Sequence, residues 1–136
     1  MDNVNLGGVN LMESKLVETK LVGAHLEGAN LRKADLRGAN LAGAFMEDAD
    51  LKGANLRGAY LEDVDLKGAS MRNANLKGAY LEDADLSGAD LTRATLMETE
   101  FKRTNVSYSN LMGFQSQEKY NCFSIHPYSH SKHSTF

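Results

Sequence analysis

Large apolar side chains recur every five residues along this chain. All 18 leucines share one register from Leu6 to Leu111, and its other four positions hold Met46, Met71, Phe101 and Val106. Two residues before each of these 22 centres stands a small or β-branched residue, alanine at 14 of them. The positions between are mostly polar. Apolar side chains two apart on one face are a strand pattern. A strict period of five cannot hold one stripe of a 3.6-residue helix for more than 100 residues. The pattern therefore predicts a stack of very short extended pieces.

What joins the pieces is also periodic. Eleven of the 12 glycines lie two residues after a centre, and Asp48, Asp63, Asn73 and Asp83 occupy the same position. These residue types tolerate positive φ, so 15 of 22 units carry a turn signal at one point. Proline is absent from the whole repeat, as a hydrogen-bonded stack requires.

Regular corners close short sides into a coil. The stretch Gly58-Ala59-Tyr60-Leu61-Glu62-Asp63 returns 20 residues later as Gly78-Ala79-Tyr80-Leu81-Glu82-Asp83. Four pentads per turn predict a square section. Twenty-two units then make five and a half coils, a rod roughly 26 Å long at the usual ~4.8 Å strand spacing. The predicted organisation is a β-helix over 4–113 and a C-terminal cap and polar tail over 114–136. In the cap, Phe114, Tyr120, Phe123 and Ile125 supply apolar groups, and 115–123 suits a short helix.

The units Ala29-Asn30-Leu31, Ala34-Asp35-Leu36, Ala39-Asn40-Leu41, Ala54-Asn55-Leu56 and Ala89-Asp90-Leu91 resemble the motif of the pentapeptide repeat family. The resemblance covers residues 4 to 113. It implies an all-β fold, the right-handed quadrilateral parallel β-helix of that family. The first units (Ser14-Lys15-Leu16, Thr19-Lys20-Leu21) and the last (Thr99-Glu100-Phe101, Thr104-Asn105-Val106) depart from the motif, as terminal repeats do.

Sorted by steps of 20, the residues after the centres form columns. Arg32, Lys52 and Arg72 make one, and Arg37, Arg57 and Lys77 the next. Glu62 and Glu82 make a third, beside Asp63 and Asp83 and alongside Tyr60 and Tyr80. The fourth, Glu27, Glu47 and Lys67, is mixed. Two adjacent faces are expected to be basic and a third acidic. The acidic face with Tyr60, Glu62, Asp63, Tyr80, Glu82 and Asp83 is the candidate surface for a basic protein partner. At the N-terminal end, Met12, Val17 and Val22 point outward, and an open β-helix end exposes strand edges. That end is the candidate site of homo-oligomer formation, or of contact with another module of a longer polypeptide.

Charge adds little to this picture. The chain carries 15 Lys plus Arg against 18 Asp plus Glu, a formal net charge of -3. Such a balance suits neither a nucleic-acid binder nor a nucleic-acid mimic. One cysteine, Cys122, excludes an intramolecular disulfide. Neither a signal peptide nor a membrane-length apolar run is visible, and the cytoplasm is the expected compartment. No nucleophile elbow, phosphate loop or metal-spaced cluster appears. A filled rod offers no deep pocket for small-molecule chemistry. No enzymatic activity and no cofactor are expected.

The leading expectation is a protein-binding or scaffolding module. The family resemblance implies an alternative, because some members imitate double-stranded DNA and act on type II topoisomerases, conferring quinolone resistance. That role asks for an evenly acidic rod, whereas this repeat holds 16 acidic and 13 basic residues. A third reading is metal binding through His126, His130 and His133, with Cys122 beside them; the surrounding serines and Pro127 favour a plain polar tail.

Overall fold

The structure, a computed structural model, describes residues 2–115. The residue before each centre pairs in parallel with the residue 20 further on, from Asn5 with His25 to Thr95 with Gln115. One coil is therefore 20 residues and four pentads, as the Tyr60/Tyr80 echo predicts. The ladder reaches Gln115, two residues beyond the predicted repeat boundary. The rest of the expected cap, including Tyr120, Cys122, Phe123, Ile125 and the three tail histidines, lies outside the described residues.

Hydrogen bonding explains the period. In each unit the centre's carbonyl accepts from the N–H three residues on, as Leu56 does from Ala59 at 3.0 Å. That bond closes a β-turn over the two intervening residues. The second of these has positive φ in every unit, 63° at Gly58 for example, as a type II turn demands. Between coils, the Leu6 N–H donates to the His25 carbonyl at 2.7 Å, and the His25 N–H to the Val4 carbonyl at 2.8 Å. A third bond, from the Gly8 N–H to the Glu27 carbonyl at 2.9 Å, ties corner to corner.

The four sides can be named by their centres. The first side holds Leu26, Met46 and Leu66, the second Leu31, Leu51 and Met71, the third Leu36, Leu56 and Leu76, and the fourth Leu41, Leu61 and Leu81. All of these side chains are buried, together with the residues two before them, which are alanines except for Val64. Each fully buried leucine contributes about 1.5–3 kcal/mol. In the last coil Thr99 and Thr104 replace the alanines. Their buried hydroxyls donate to the Leu76 and Leu81 carbonyls at 2.8 and 2.7 Å, so neither is left unsatisfied.

The two ends of the described region differ. Phe101, Val106 and Leu111 are buried and Phe114 packs against the core, while Leu6, Leu11 and Leu16 are only partly covered. The backbone N–H groups of Asn5, Asn10, Lys15 and Lys20 donate to nothing among the described residues. The N-terminal coil is thus an open ladder edge.

Candidate functional site

The outward residues occupy two kinds of place. The residue before a centre stands in the middle of a flat side. The two residues after it form the corner, because the turn bond spans them. The charged columns are corner columns, and this corrects the expected arrangement of faces. The Arg32/Lys52/Arg72 and Arg37/Arg57/Lys77 columns are not two basic faces. They are the two edges of one face, the third side. Glu62/Glu82 and Glu27/Glu47/Lys67 are likewise the two edges of the first side, which lies opposite.

The resulting polarity is large. The third side with its edges carries Lys15, Arg32, Lys33, Arg37, Lys52, Arg57, Arg72, Lys77 and Arg93 against Glu13, Glu18, Asp35 and Glu98. The first side with its edges carries Asp2, Glu27, Glu47, Asp48, Glu62, Asp63, Asp65, Glu82, Asp83 and Asp85 against Lys67, Lys102 and Arg103. Two open troughs of about 440 and 450 Å³ run along the edges of the basic side. Arg37, Arg57, Lys77 and Glu98 line the first; Arg32, Lys33, Lys52 and Arg72 line the second.

Many of these charges are held within the rod. Arg37 grips Asp35 through two bonds of 2.8 and 2.7 Å, which holds the Asp35 carboxyl below the usual range. Lys52 and Arg32 share Asp50 at 3.7 and 3.8 Å, and Arg72 reaches Asp90 at 3.9 Å. Arg57 has no ion-pair partner among the described residues. On the acidic side, Glu47 is pushed up from the ordinary carboxylate range by the neighbouring Asp65 carboxyl.

The six residues of the candidate partner surface do not form one face. Tyr60 and Tyr80 stand in the middle of the fourth side. Their rings stack at 5.2 Å between centroids and 9° between planes, with 43% and 36% of each residue exposed. Glu62, Asp63, Glu82 and Asp83 form the corner beside them. Arg103, one coil above, binds Asp83 at 2.6 and 2.7 Å and Glu82 at 2.6 Å, and Lys102 adds a contact to Glu82 at 3.2 Å. Lys102 and Arg103 hold Glu82 below the usual carboxylate range, and Arg103 does the same to Asp83. Glu62 and Asp63 have no such partner among the described residues. The unneutralised part of the surface is therefore Tyr60, Glu62, Asp63 and Tyr80.

The flats also explain the Asn/Asp preference. At most units the side chain before the centre accepts the N–H two residues on, as Asn30 does from Arg32 at 3.1 Å and Asp85 from Ser87 at 2.9 Å. This Asx bond braces the corner. Where an aromatic ring stands instead, it stacks on the next coil. His25 lies on Phe45 at 4.7 Å, with its Nδ1 3.0 Å from Glu27. Sequence reading missed this stack; the 20-residue spacing of 25 and 45 was the signal.

At the N-terminal end, Met12 and Val17 are 49% and 43% exposed, while Val22 is half-buried. Among the described residues, no group of His, Cys, Asp and Glu is placed to hold a metal, and no helix is long and apolar enough to cross a membrane.

The profile described as pentapeptide repeats (8 copies) matches residues 29–68, 44–83 and 79–114, more than half of the chain. The protein belongs to the pentapeptide repeat family. No curated protein matches the sequence. Among solved structures, a pentapeptide repeat protein from the cyanobacterium Cyanothece 51142 is 28% identical, over 86% of each chain, with a TM-score of 0.47. One from Nostoc PCC 7120 is 27% identical, over 85% of this chain and 82% of that one, with a TM-score of 0.36. QnrB1, a plasmid-mediated fluoroquinolone resistance protein, is 19% identical, over 85% of this chain and 66% of that one, with a TM-score of 0.48.

Proposed function

We propose that the protein is a non-enzymatic binding or scaffolding module, a right-handed rod of about five and a half coils that presents fixed charged surfaces to a protein partner. The observation that supports this most is the separation of charge on a filled, hydrogen-bonded frame. Among the described residues the core is filled mainly by leucine and alanine, which leaves no interior site there. Each outward side chain is held on a lattice of fixed pitch. The contact surface we assign is the fourth side with its acidic corner: Tyr60, Tyr80, Glu62 and Asp63. Exposed tyrosines beside unneutralised carboxylates suit a basic protein surface.

Affinity capture on the immobilised protein tests this reading, comparing the native chain with a Tyr60→Ala, Glu62→Lys, Asp63→Lys variant. Loss of specific captured proteins is expected; identical capture by both would discard the assigned surface.

A second contact concerns the N-terminal end, because Leu6, Leu11 and Leu16 are incompletely covered and the ladder there is open. We assign it to pairing with a further coil, in another subunit or in a longer polypeptide. Light scattering tests the subunit form, and a monomer at all concentrations removes it.

A further inference from the structure

The basic third side and the acidic first side are opposite faces of one square rod. They share a pitch, since both repeat once per coil, and they share a width, since both run from corner to corner. We propose that each is the other's docking surface: a second copy, shifted sideways without rotation, sets its acidic side on the basic side of the first. No rotation is needed, because the complementary corners already lie at nearly equal height. Arg57 and Glu62 are five residues apart, a quarter of a coil, or about 1.2 Å along the axis. A lateral shift brings Arg57 of one copy to Glu62 of the next. The same shift brings Lys52 to Glu47, and Lys77 to Glu82, a carboxylate that Lys102 and Arg103 of its own chain already hold.

Two features favour a second copy over another polyanion. The middle of the basic side offers Lys15, Asp35, Asn55, Asn75 and Thr95, and no aromatic ring on which the bases of a single strand would stack. A second copy also carries charges that repeat at the same ~4.8 Å interval in coil after coil. One contact is unfavourable: Arg72 faces Lys67 of the next copy. Lys67 is already held by Asp65 at 3.0 Å and lies 3.8 Å from Glu47, so its charge is partly met within its own chain.

The contact is small. A side three residues wide and four coils tall covers roughly 200 Å², far below the roughly 800 Å² per partner of a stable complex. The association is therefore weak, driven by charge, and heterologous, so that it extends into rows and does not stop at a pair. Its signature is the sign of the force between molecules. A chain of net charge -3 without this complementarity repels its copies most strongly at low salt. The proposed docking makes them attract at low salt, and screening removes the attraction as salt rises.

Concentration-dependent small-angle scattering on the full chain measures this at about 0.02 and 0.5 M salt. Attraction at the lower value that disappears at the higher supports the proposal. Two variants locate it: Lys52→Glu with Arg57→Glu on the basic side, and Glu47→Lys with Glu62→Lys on the acidic side. Each alone is expected to repel itself, while an equal mixture attracts. Lys52→Gln with Arg57→Gln, expected to lose attraction without adding repulsion, serves if a reversal variant does not keep the native circular dichroism. A 20-base-pair DNA duplex is titrated in parallel. Native repulsion at low salt overturns the proposal, and so does attraction that survives the reversals. Tight binding of the duplex to the basic side without native attraction overturns it in favour of a nucleic-acid partner. The acidic-side variant shares Glu62 with the assigned contact surface, but the basic-side reversal leaves Tyr60, Tyr80, Glu62 and Asp63 intact, so that variant tests the docking separately.

Discussion

At the scale of the residue, the corner position decides most of the strain in the molecule. Every second corner residue has positive φ, yet seven of the 22 are neither Gly, Asn nor Asp: Glu13, Glu18, Lys33, Arg93, Glu98, Arg103 and Tyr108. Four of them follow one another around the last coil. A left-handed conformation costs such residues of order 1 kcal/mol each, supplied by the bonds on either side. Arg93 makes no ion pair among the described residues, so Arg93→Gly is expected to raise stability by about 1 kcal/mol, seen as a higher melting temperature. Arg103 is a different case, because its side chain repays the strain through Glu82 and Asp83. Both carboxyls titrate below their ordinary values in the folded chain. Their contribution to stability is complete above the unfolded values near 4 and is lost as pH falls through the lower, folded values. In Arg103→Ala the melting temperature is expected to fall less steeply with acidification below about pH 4, as thermal unfolding across pH will show.

At the scale of the element, a single pentad is too short to be stable and depends on the coils above and below it. Leu56 has a coil on both sides and is fully buried; Leu11 has a coil on one side only. Leu56→Ala is expected to cost about 2–5 kcal/mol, and Leu11→Ala clearly less, in denaturant unfolding. This element was legible in the sequence, because one large and one small inward residue at fixed spacing leave a narrow stacked coil as the consistent packing. Less of the surface was legible. The period tells which residues point outward, but not which of the three outward positions lies on a flat. That is settled by the turn bond, from the Ala59 N–H to the Leu56 carbonyl, and it moved the charged columns from faces to corners. Tyr60 over Tyr80 was visible because the surrounding sequence repeats. His25 over Phe45 was not, because the two rings are different residue types, although Gly23/Gly43, Ala24/Ala44 and Glu27/Glu47 repeat around them. The neutralisation of Glu82 and Asp83 was hidden for a related reason: Lys102 and Arg103 stand where the motif holds Glu62 and Asp63 two coils earlier.

At the scale of the whole molecule, the pentad is the unit of length and the coil is the unit of orientation. Removing residues 59–78 takes out one complete coil, and every later residue keeps its compass direction. Removing only residues 59–63 also leaves leucine upon leucine, but turns everything beyond the cut by 90°. Glu82 and Asp83 then arrive above Arg57 and Gly58, on an edge that was basic. Both deletion products are expected to fold, with the circular dichroism of stacked short strands. Only the 20-residue deletion is expected to keep the low-salt attraction in scattering; attraction in both would separate that force from the orientation of the sides. A chain of this kind grows and shrinks cheaply in fives as far as its interior is concerned, but its outside is conserved only in twenties. Each duplication or loss of a single unit is therefore an inherited quarter-turn, a way of presenting old side chains to a new neighbour without altering one of them.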